Sequence, residues 1–272
     1  MPTVLKHPAP AKTLVGSQTL VRGIEVLAAI AQGTRNLADL AQAVGLTKST
    51  THRLATTLVE HRLLNFAPRA GYSLGPRMME FGHLASRQLS LPRVAHDFLV
   101  ALAGLTGDTV HLGILDVDRA LYLDKIAGSR RIEVSSRIGE RQPLRSTGLG
   151  KALLLDHDTA ALIKIYQGEA KDFPNYAVPL EVWLPRMQTY AAEGYALDLS
   201  ENEDNIRCVS APIRDATTRI IGSISVTSAA QYMDDARMRA LIGHVQATAA
   251  EISAEYGCRD YNGGVSAAAQ EL

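Results

Sequence analysis

Apolar residues recur at helical spacing through the first third of the chain and give way to alternating, strand-like patterns after Thr109. The sharpest helical stretch runs from Asn36 to Arg62. Leu37, Leu40, Ala41 and Val44 fall at i, i+3, i+4 and i+7, one face of a short helix. Gly45 follows, where helices commonly end in a left-handed residue. Leu46 reads as a buried turn residue. Thr47 reads as the cap of a second helix, its hydroxyl free to accept from first-turn N–H groups. In that helix Thr51, Leu54 and Leu58 lie along one side, while Ser49, His52, Arg53 and Thr56 repeat along the other. An apolar back with a stripe of donors and one guanidinium suits the major groove of DNA, where Arg, Ser and Thr reach base edges and phosphates. The same pattern also fits an ordinary helical hairpin with a solvated face.

The flanking sequence favours the first reading. Thr19 to Ala31 predicts a preceding helix with Leu20, Ile24, Leu27 and Ala31 on one face. Leu64–Phe66 and Tyr72–Leu74 predict two short strands joined by the turn Pro68-Arg69-Ala70-Gly71. Helix, helix-turn-helix and a hairpin carrying Arg69 make a winged helix-turn-helix over residues 17–75. Pro76 opens a linker helix, 76–90, because its missing N–H is harmless at a first helical position. Met79, Phe81, Leu84 and Ala85 are its apolar residues. Leu91-Pro92 marks a break before a helix from Val94 to Leu105.

Beyond Thr109 the segments VHLGILDV and ALYLDKI predict strands with a turn at Asp118-Arg119, and IEVSS, 132–136, predicts a third. Helices follow over 159–166 and 180–193. YALDL, IRCVSAPI and IIGSISVTS are further strands, and Asp234 caps a long helix to about Tyr256. Strands and helices alternate without a strict βαβ repeat, so the fold class is α+β, with a largely antiparallel sheet in a body spanning 91–257. Residues 1–16 read as a disordered arm and 258–272 as a flexible tail.

Composition changes this picture in one respect. The chain has 272 residues, enough for two domains, and a formal net charge of zero. Residues 1–90 carry ten Lys and Arg against four Asp and Glu, and the remainder is acidic by the same margin. A basic front on an acidic body fits an N-terminal module drawn to polyphosphate. Cys208 and Cys258 offer no disulfide framework or CxxC metal motif, and a reducing cytoplasm is the expected setting. The start of the chain, broken by Pro2, Pro8 and Pro10, is not expected to be a signal peptide or a membrane anchor.

Two stretches of the body could carry ligand chemistry. Ser146-Thr147-Gly148-Leu149-Gly150-Lys151 leads into a helix, with two glycines and a Ser or Thr cap at its start. Exposed N–H groups and the helix dipole there favour an anion; the other reading is a tight structural turn with Gly for backbone reasons. It is not a P-loop, because Arg145 stands where GxxxxGK[ST] requires Gly. Ser223, Ser225 and Thr227 share one face of an alternating strand, a hydroxyl row suited to a pocket for a polar molecule or to a solvated sheet surface. The eight histidines show no HxxxH or HExxH spacing, so neither a metal site nor a cofactor is predicted. Glu201, Glu203 and Asp204 read as a solvated loop.

Taken together, QTLVRGIEVL, LADLAQAVGLTKSTTHRLATTL, YSLG, RQPLRSTGLGKALL, EGYALDLSENEDNIRCVSAPI and IIGSISVTS resemble the IclR family of transcriptional regulators in order and spacing, over about Gln18 to Gly257. The resemblance implies a winged helix-turn-helix joined by a helix to an effector domain of GAF-like topology. It also implies a homodimer or tetramer on double-stranded operator DNA, with a small organic acid as effector. Lys48, Ser49, Thr50, His52 and Arg53 are the expected DNA-binding residues, with Arg22 and Arg69 near phosphates. Arg145, Ser146, Thr147, Gly148, Leu149 and Gly150 correspond to the effector loop, and Asp198, Cys208, Ser225 and Thr227 to the polar pocket.

Two departures stand out: Arg145 where many relatives carry His, and Leu149 where a small residue is frequent. Arg145 beside the loop suggests an acidic ligand such as a sugar acid, keto acid or aromatic acid, unless its side chain faces solvent. Leu149 narrows the loop end. A different class, a small-molecule enzyme using Cys208 or Asp198 with an accessory N-terminal domain, is the alternative.

Overall fold

The computed structural model describes residues 17–258, apart from 133 and 175 and the side chains of 83, 86 and 87. The arm expected over 1–16 lies outside these residues. So does the tail expected from 258 onward, except that Cys258 itself is buried. The chain divides into two compact units between Leu89 and Ser90. No helix of the described residues is long and apolar enough to cross a membrane.

The first unit contains α1 (Gln18–Ala31), α2 (Leu37–Ala43), α3 (Lys48–Glu60), β1 (Leu64–Ala67), β2 (Gly71–Leu74) and α4 (Pro76–Gln88). Val26, Ile30, Leu40, Val44, Ala55, Leu64 and Tyr72 form its core. The buried face of α1 is not the one its apolar spacing suggests. Val26 and Ile30 are inside, whereas Leu20 and Ile24 stand 68% and 56% exposed. Six residues at about 100° each set the two pairs about 120° apart, and of the predicted face Leu27 packs against the core beside Val26 and Ile30. The turn between α2 and α3 forms as its residues dictate: Gly45 adopts φ +62°, and Thr47 Oγ1 accepts from the Thr50 N–H at 3.3 Å. Gly71 opens β2 with φ +79°, and a Cβ there would lie 2.2 Å from the Arg35 carbonyl oxygen. The Tyr72 N–H donates to that same carbonyl at 2.8 Å, tying the hairpin to the start of α2.

The second unit contains α5 (Leu91–Thr106), β3 (Thr109–Asp116), β4 (Arg119–Ile126), β5 (Arg141–Gln142), α6 (Gly148–Leu153), α7 (Thr159–Glu169), α8 (Leu180–Glu193), β6 (Ala196–Leu199), β7 (Ile206–Arg214), β8 (Ile220–Ala229) and α9 (Asp235–Glu255). Its six strands run in the order β5-β4-β3-β8-β7-β6, each antiparallel to its neighbours. Alternation sorts the side chains into two layers. Val110 and Leu112 of β3, Val209, Ala211 and Ile213 of β7, and Ile224 and Val226 of β8 pack beneath α5 and α9. On the other side Ala120 and Tyr122 pack with α6 and with Trp183, Met187 and Tyr190 of α8.

Residues 132 and 134–136 do not form the strand predicted over 132–136, whose residue 133 lies outside the described residues. The edge of β4 is already taken: β5 pairs with Ala120 and Leu121, and Tyr122 exchanges hydrogen bonds with Gly139 and Glu140. The Lys125 ammonium instead takes the carbonyls of Val134 and Ser136, at 2.7 and 2.8 Å. The β3–β4 turn also falls one residue earlier than expected, at Val117-Asp118, with Val117 at φ +60° and Arg119 already in β4.

Candidate DNA-binding face and effector site

The Thr47 cap and the burial of Thr51 and Ala55 fix the rotation of α3 about its own axis. Thr51 Oγ1 donates to the Thr47 carbonyl at 3.0 Å, so its polar atom is satisfied without reaching solvent. The opposite stripe is thereby turned outward: Lys48, Ser49, His52, Arg53 and Thr56 are all exposed. Thr50 is half-buried, with its hydroxyl bonded to Thr47. A groove of about 620 Å³ lies between this helix and the wing, and His52, Thr56, Arg69 and Tyr72 are among its walls. The fold thus brings Arg69 to the same face as the α3 stripe. Arg22 departs from that arrangement. Its guanidinium pairs with Glu25 at 2.9 Å and reaches the Val44 carbonyl at 3.4 Å, which binds the head group within the module.

Strand register builds the second site. Thr227 of β8 stands between Thr109 of β3 and Cys208 of β7, and Cys208 in turn pairs with Asp198 of β6. In the next row inward Ser225 stands between His111 and Ser210. These side chains are all buried, on the sheet face turned away from α5 and α9. His111 joins the hydroxyls together: Nδ1 lies 3.4 Å from Ser225 Oγ and 3.3 Å from Thr227 Oγ1, and Nε2 lies 2.6 Å from Ser136 Oγ. Burial, with a smaller contribution from the Lys125 charge, lowers its pKa to about 3, so the ring is neutral. A cavity of about 260 Å³ opens at this edge, lined by Thr109, Thr227, Ser228, Gly128, Arg130 and Arg131. The hydroxyl row is therefore neither apolar core nor a solvated surface.

The loop before α6 sits directly on the sheet. A Cβ at Gly148 would lie 2.5 Å from Cys208 Sγ and 2.9 Å from Ser210 Oγ. Thr147 caps α6, its Oγ1 accepting from the Gly150 N–H at 3.0 Å, and Ser146 Oγ donates to Asn202 Oδ1 at 2.8 Å. The hydroxyls of Ser146 and Thr147 are thus spent on holding the loop. Leu149 does not narrow its mouth: the side chain is buried against Gly113, where a Cβ would come within 2.7 Å of Leu149 Cδ2.

Arg145 overturns its expected role as a carboxylate anchor. The residue is 2% exposed, and its guanidinium donates to the backbone carbonyls of Tyr166, Glu169 and Phe173 at the end of α7. Tyr166 and Tyr176 stack on it at 5.0 and 4.6 Å. Glu201 is likewise not the solvated residue its loop suggests. Its side chain is 5% exposed and pairs with Lys151 and with Arg186, and Tyr176 donates to it at 2.6 Å. Lys151, Glu201 and His111 all escaped the sequence-based selection. For His111 a signal existed, since it falls in the polar phase of β3, between Thr109 and Gly113.

Cys208 and Asp198, the residues of the alternative enzymatic reading, are both buried in the sheet. Burial first, and the Asp198 charge second, push the Cys208 thiol up to about 12, far from a thiolate nucleophile at neutral pH. Asp198 is raised to about 6, mainly by burial, against the opposing pull of Lys151. Its carboxylate accepts the Glu201 N–H at 2.7 Å and so shapes the loop after β6. Among the described residues no group of three or more His, Cys, Asp or Glu is placed to hold a metal ion.

Known proteins match this architecture throughout. The IclR helix-turn-helix domain matches residues 19–68, and the bacterial transcriptional regulator IclR C-terminal domain matches residues 83–254. The HTH-type transcriptional regulator XynR of Escherichia coli strain K12 is 32% identical over 227 residues, covering 81% of this chain and 90% of its own. The HTH-type transcriptional regulator KdgR of the same organism is 31% identical over 231 residues, covering 83% and 87%. The crystal structure of the Agobacterium tumefaciens repressor BlcR shares the fold, with a TM-score of 0.75 at 23% identity over 89% of this chain and 98% of that one. With both halves of the sequence matched in order, the chain belongs to the IclR family of DNA-binding transcriptional regulators.

Proposed function

We propose that this regulator controls a catabolic operon in response to a small organic acid held against the inner face of the effector-domain sheet. The observation that carries this reading is the double position of Thr227. It bonds to His111 within the buried hydroxyl cluster and also lines the cavity that Arg130 and Arg131 border. Hydroxyls and a neutral imidazole match hydroxyl or keto groups, and a guanidinium at the cavity wall matches a carboxylate. Arg130 is already committed to Asp108 at 3.1 Å, which leaves Arg131, exposed on that wall, as the anchor.

On the other unit, Lys48, Ser49, Thr50, His52, Arg53 and Arg69 meet double-stranded operator DNA, α3 lying in the major groove and Arg69 on the wing beside phosphate. Apolar side chains left exposed on α1 and α4, among them Leu20, Ile24, Met79 and Leu84, support assembly as a homodimer or a tetramer in the cytoplasm. The test is calorimetry of the full chain against sugar, keto and aromatic acids and their neutral amides. Acids alone are expected to bind, with affinity lowered by Arg131→Ala and by Ser225→Ala. Equal binding of acids and amides contradicts the carboxylate anchor.

A further inference from the structure

The cavity beside Thr227 is bordered by a short segment, 128–131, which the start of β3 holds in three places. The Gly128 N–H donates to Thr109 Oγ1 at 3.4 Å, and the Ser129 N–H donates to the Gly107 carbonyl at 3.0 Å. Gly128 packs so closely that a Cβ there would lie 2.5 Å from the Asp108 carbonyl carbon. The third tie is the Arg130 side chain. Its Nε donates to Asp108 Oδ1 at 3.1 Å, and its guanidinium lies over the Tyr232 ring at 5.3 Å. Asp108 is fully buried, and its second oxygen is taken by Arg237 at 2.6 Å. A buried carboxylate on one edge and an aromatic face on one side fix the direction of the guanidinium.

That tie uses one of its three nitrogens. Nη1 and Nη2 make no hydrogen bond among the described residues and are not sealed from solvent. Charge at this edge of the sheet is also out of balance. Arg130, Arg131 and Arg237 stand against a single carboxylate, Asp108. Arg131 pairs with no acid among the described residues. Lys125, the cross-strand neighbour of His111, adds a cation whose ammonium meets only the carbonyls of Val134 and Ser136. A cleft lined by one sign of charge concentrates the opposite sign. At about 260 Å³ the cavity is smaller than the pockets that take drug-sized ligands, so the anion is short.

We propose, resting on the reading of a small acid at this site, that the acid is a short dicarboxylate: one carboxylate meets Arg131, and the other lies in the fork of Nη1 and Nη2 of Arg130. Two coplanar N–H donors held in a fixed direction suit both oxygens of a carboxylate. Thr109 and Thr227, neighbours across β3 and β8, border the carbon chain between the two charged ends and suit a hydroxyl or keto group there. A monocarboxylate leaves one guanidinium without a counter-charge.

2-Oxoglutarate and L-malate are titrated into the full chain by calorimetry, each beside the monoacid of the same chain length, 2-oxopentanoate and 3-hydroxybutyrate. At least one diacid is expected to bind about tenfold or more tightly than its monoacid. Raising the salt concentration is expected to weaken that diacid more steeply than the monoacid. Arg130→Lys keeps a cation beside Asp108 and gives up the fork, and it is expected to reduce the diacid preference to about threefold or less. Circular dichroism checks that the variant folds, and the salt comparison needs no variant. Monoacids that bind as tightly as the diacids, the same salt dependence for both, or an Arg130→Lys variant that keeps the full preference would overturn the proposal. Acid binding that Arg131→Ala still weakens would then leave the reading beneath it standing. Absence of saturable binding by either diacid also overturns the dicarboxylate, and the wider panel of acids decides the underlying reading separately.

Discussion

His111 lies within hydrogen-bond distance of three hydroxyls, and its ring is tilted against that of Tyr122 at 5.0 Å between centroids. Its folded pKa near 3 lies below the ordinary value of 6.5, which has a defined consequence for stability. As pH falls below about 6.5 the unfolded chain takes up this proton and the folded chain does not, so this residue's contribution to stability declines toward pH 3. The imidazole proton resonances of His111 are expected to stay flat between pH 8 and 5; a midpoint inside that window contradicts the buried, neutral assignment. Cys208 makes a parallel case. In the native protein its thiol is expected to react with an aromatic disulfide far more slowly than a free cysteine at pH 8, and to react freely after denaturation. Rapid native labelling of Cys208, located by peptide mapping, contradicts the thiol assignment and reopens the enzymatic alternative. At this scale the sequence is legible in phase and silent in direction. Alternation places Ser225 and Thr227 on one face, but nothing in RQPLRSTGLG says that Arg145 turns toward the carbonyls at the end of α7, because the position of α7 decides it.

Secondary structure follows period and capping closely, and fails where side chains compete for backbone partners. α3 and its cap are predictable from Thr47 and the Thr51–Leu54–Leu58 spacing, whereas the strand expected over 132–136 loses its carbonyls to Lys125. Arg53 lies on the exposed side of α3, away from Thr51 and Ala55. Arg53→Ala is therefore expected to leave the circular-dichroism spectrum and melting temperature unchanged while weakening operator binding by about 1–3 kcal/mol. Unchanged affinity in a gel shift removes this helix from the groove. The start of α6 allows a test in the opposite sense. Gly148→Ala drives a methyl group toward Cys208 Sγ and Ser210 Oγ, both buried in the sheet, so the loop or the strands must shift. The melting temperature is expected to fall by an amount corresponding to about 1–3 kcal/mol, the usual range for overpacking. A variant as stable as the parent means that α6 does not rest on the sheet.

For the whole molecule, the uneven charge along the chain points to a basic DNA-facing front and an acidic ligand-binding body, and the order of motifs points to the family. Composition could not show where the buried hydroxyls gather, since that depends on rows formed by β3, β8 and β7 across more than a hundred residues of sequence. If the basic face neutralises several phosphates, log affinity for DNA should fall linearly and steeply with log salt. A flat dependence in a filter-binding titration contradicts it.

Control by an acid on the sheet face makes a stricter demand, because a ligand changes DNA affinity only if it distinguishes two states of the protein. The most direct measurement is fluorescence anisotropy of a labelled duplex, drawn from the promoter region beside the protein's own gene, titrated with the full chain. It is run with and without the acid that binds best, for the parent and for Ser225→Ala. If the sheet-face acid controls DNA binding, the two proteins have equal affinities for the duplex in the absence of acid, and the acid shifts that of the parent alone, by about fivefold or more. A parent whose DNA affinity ignores every acid it binds, or a Ser225→Ala variant that responds as the parent does, would contradict it.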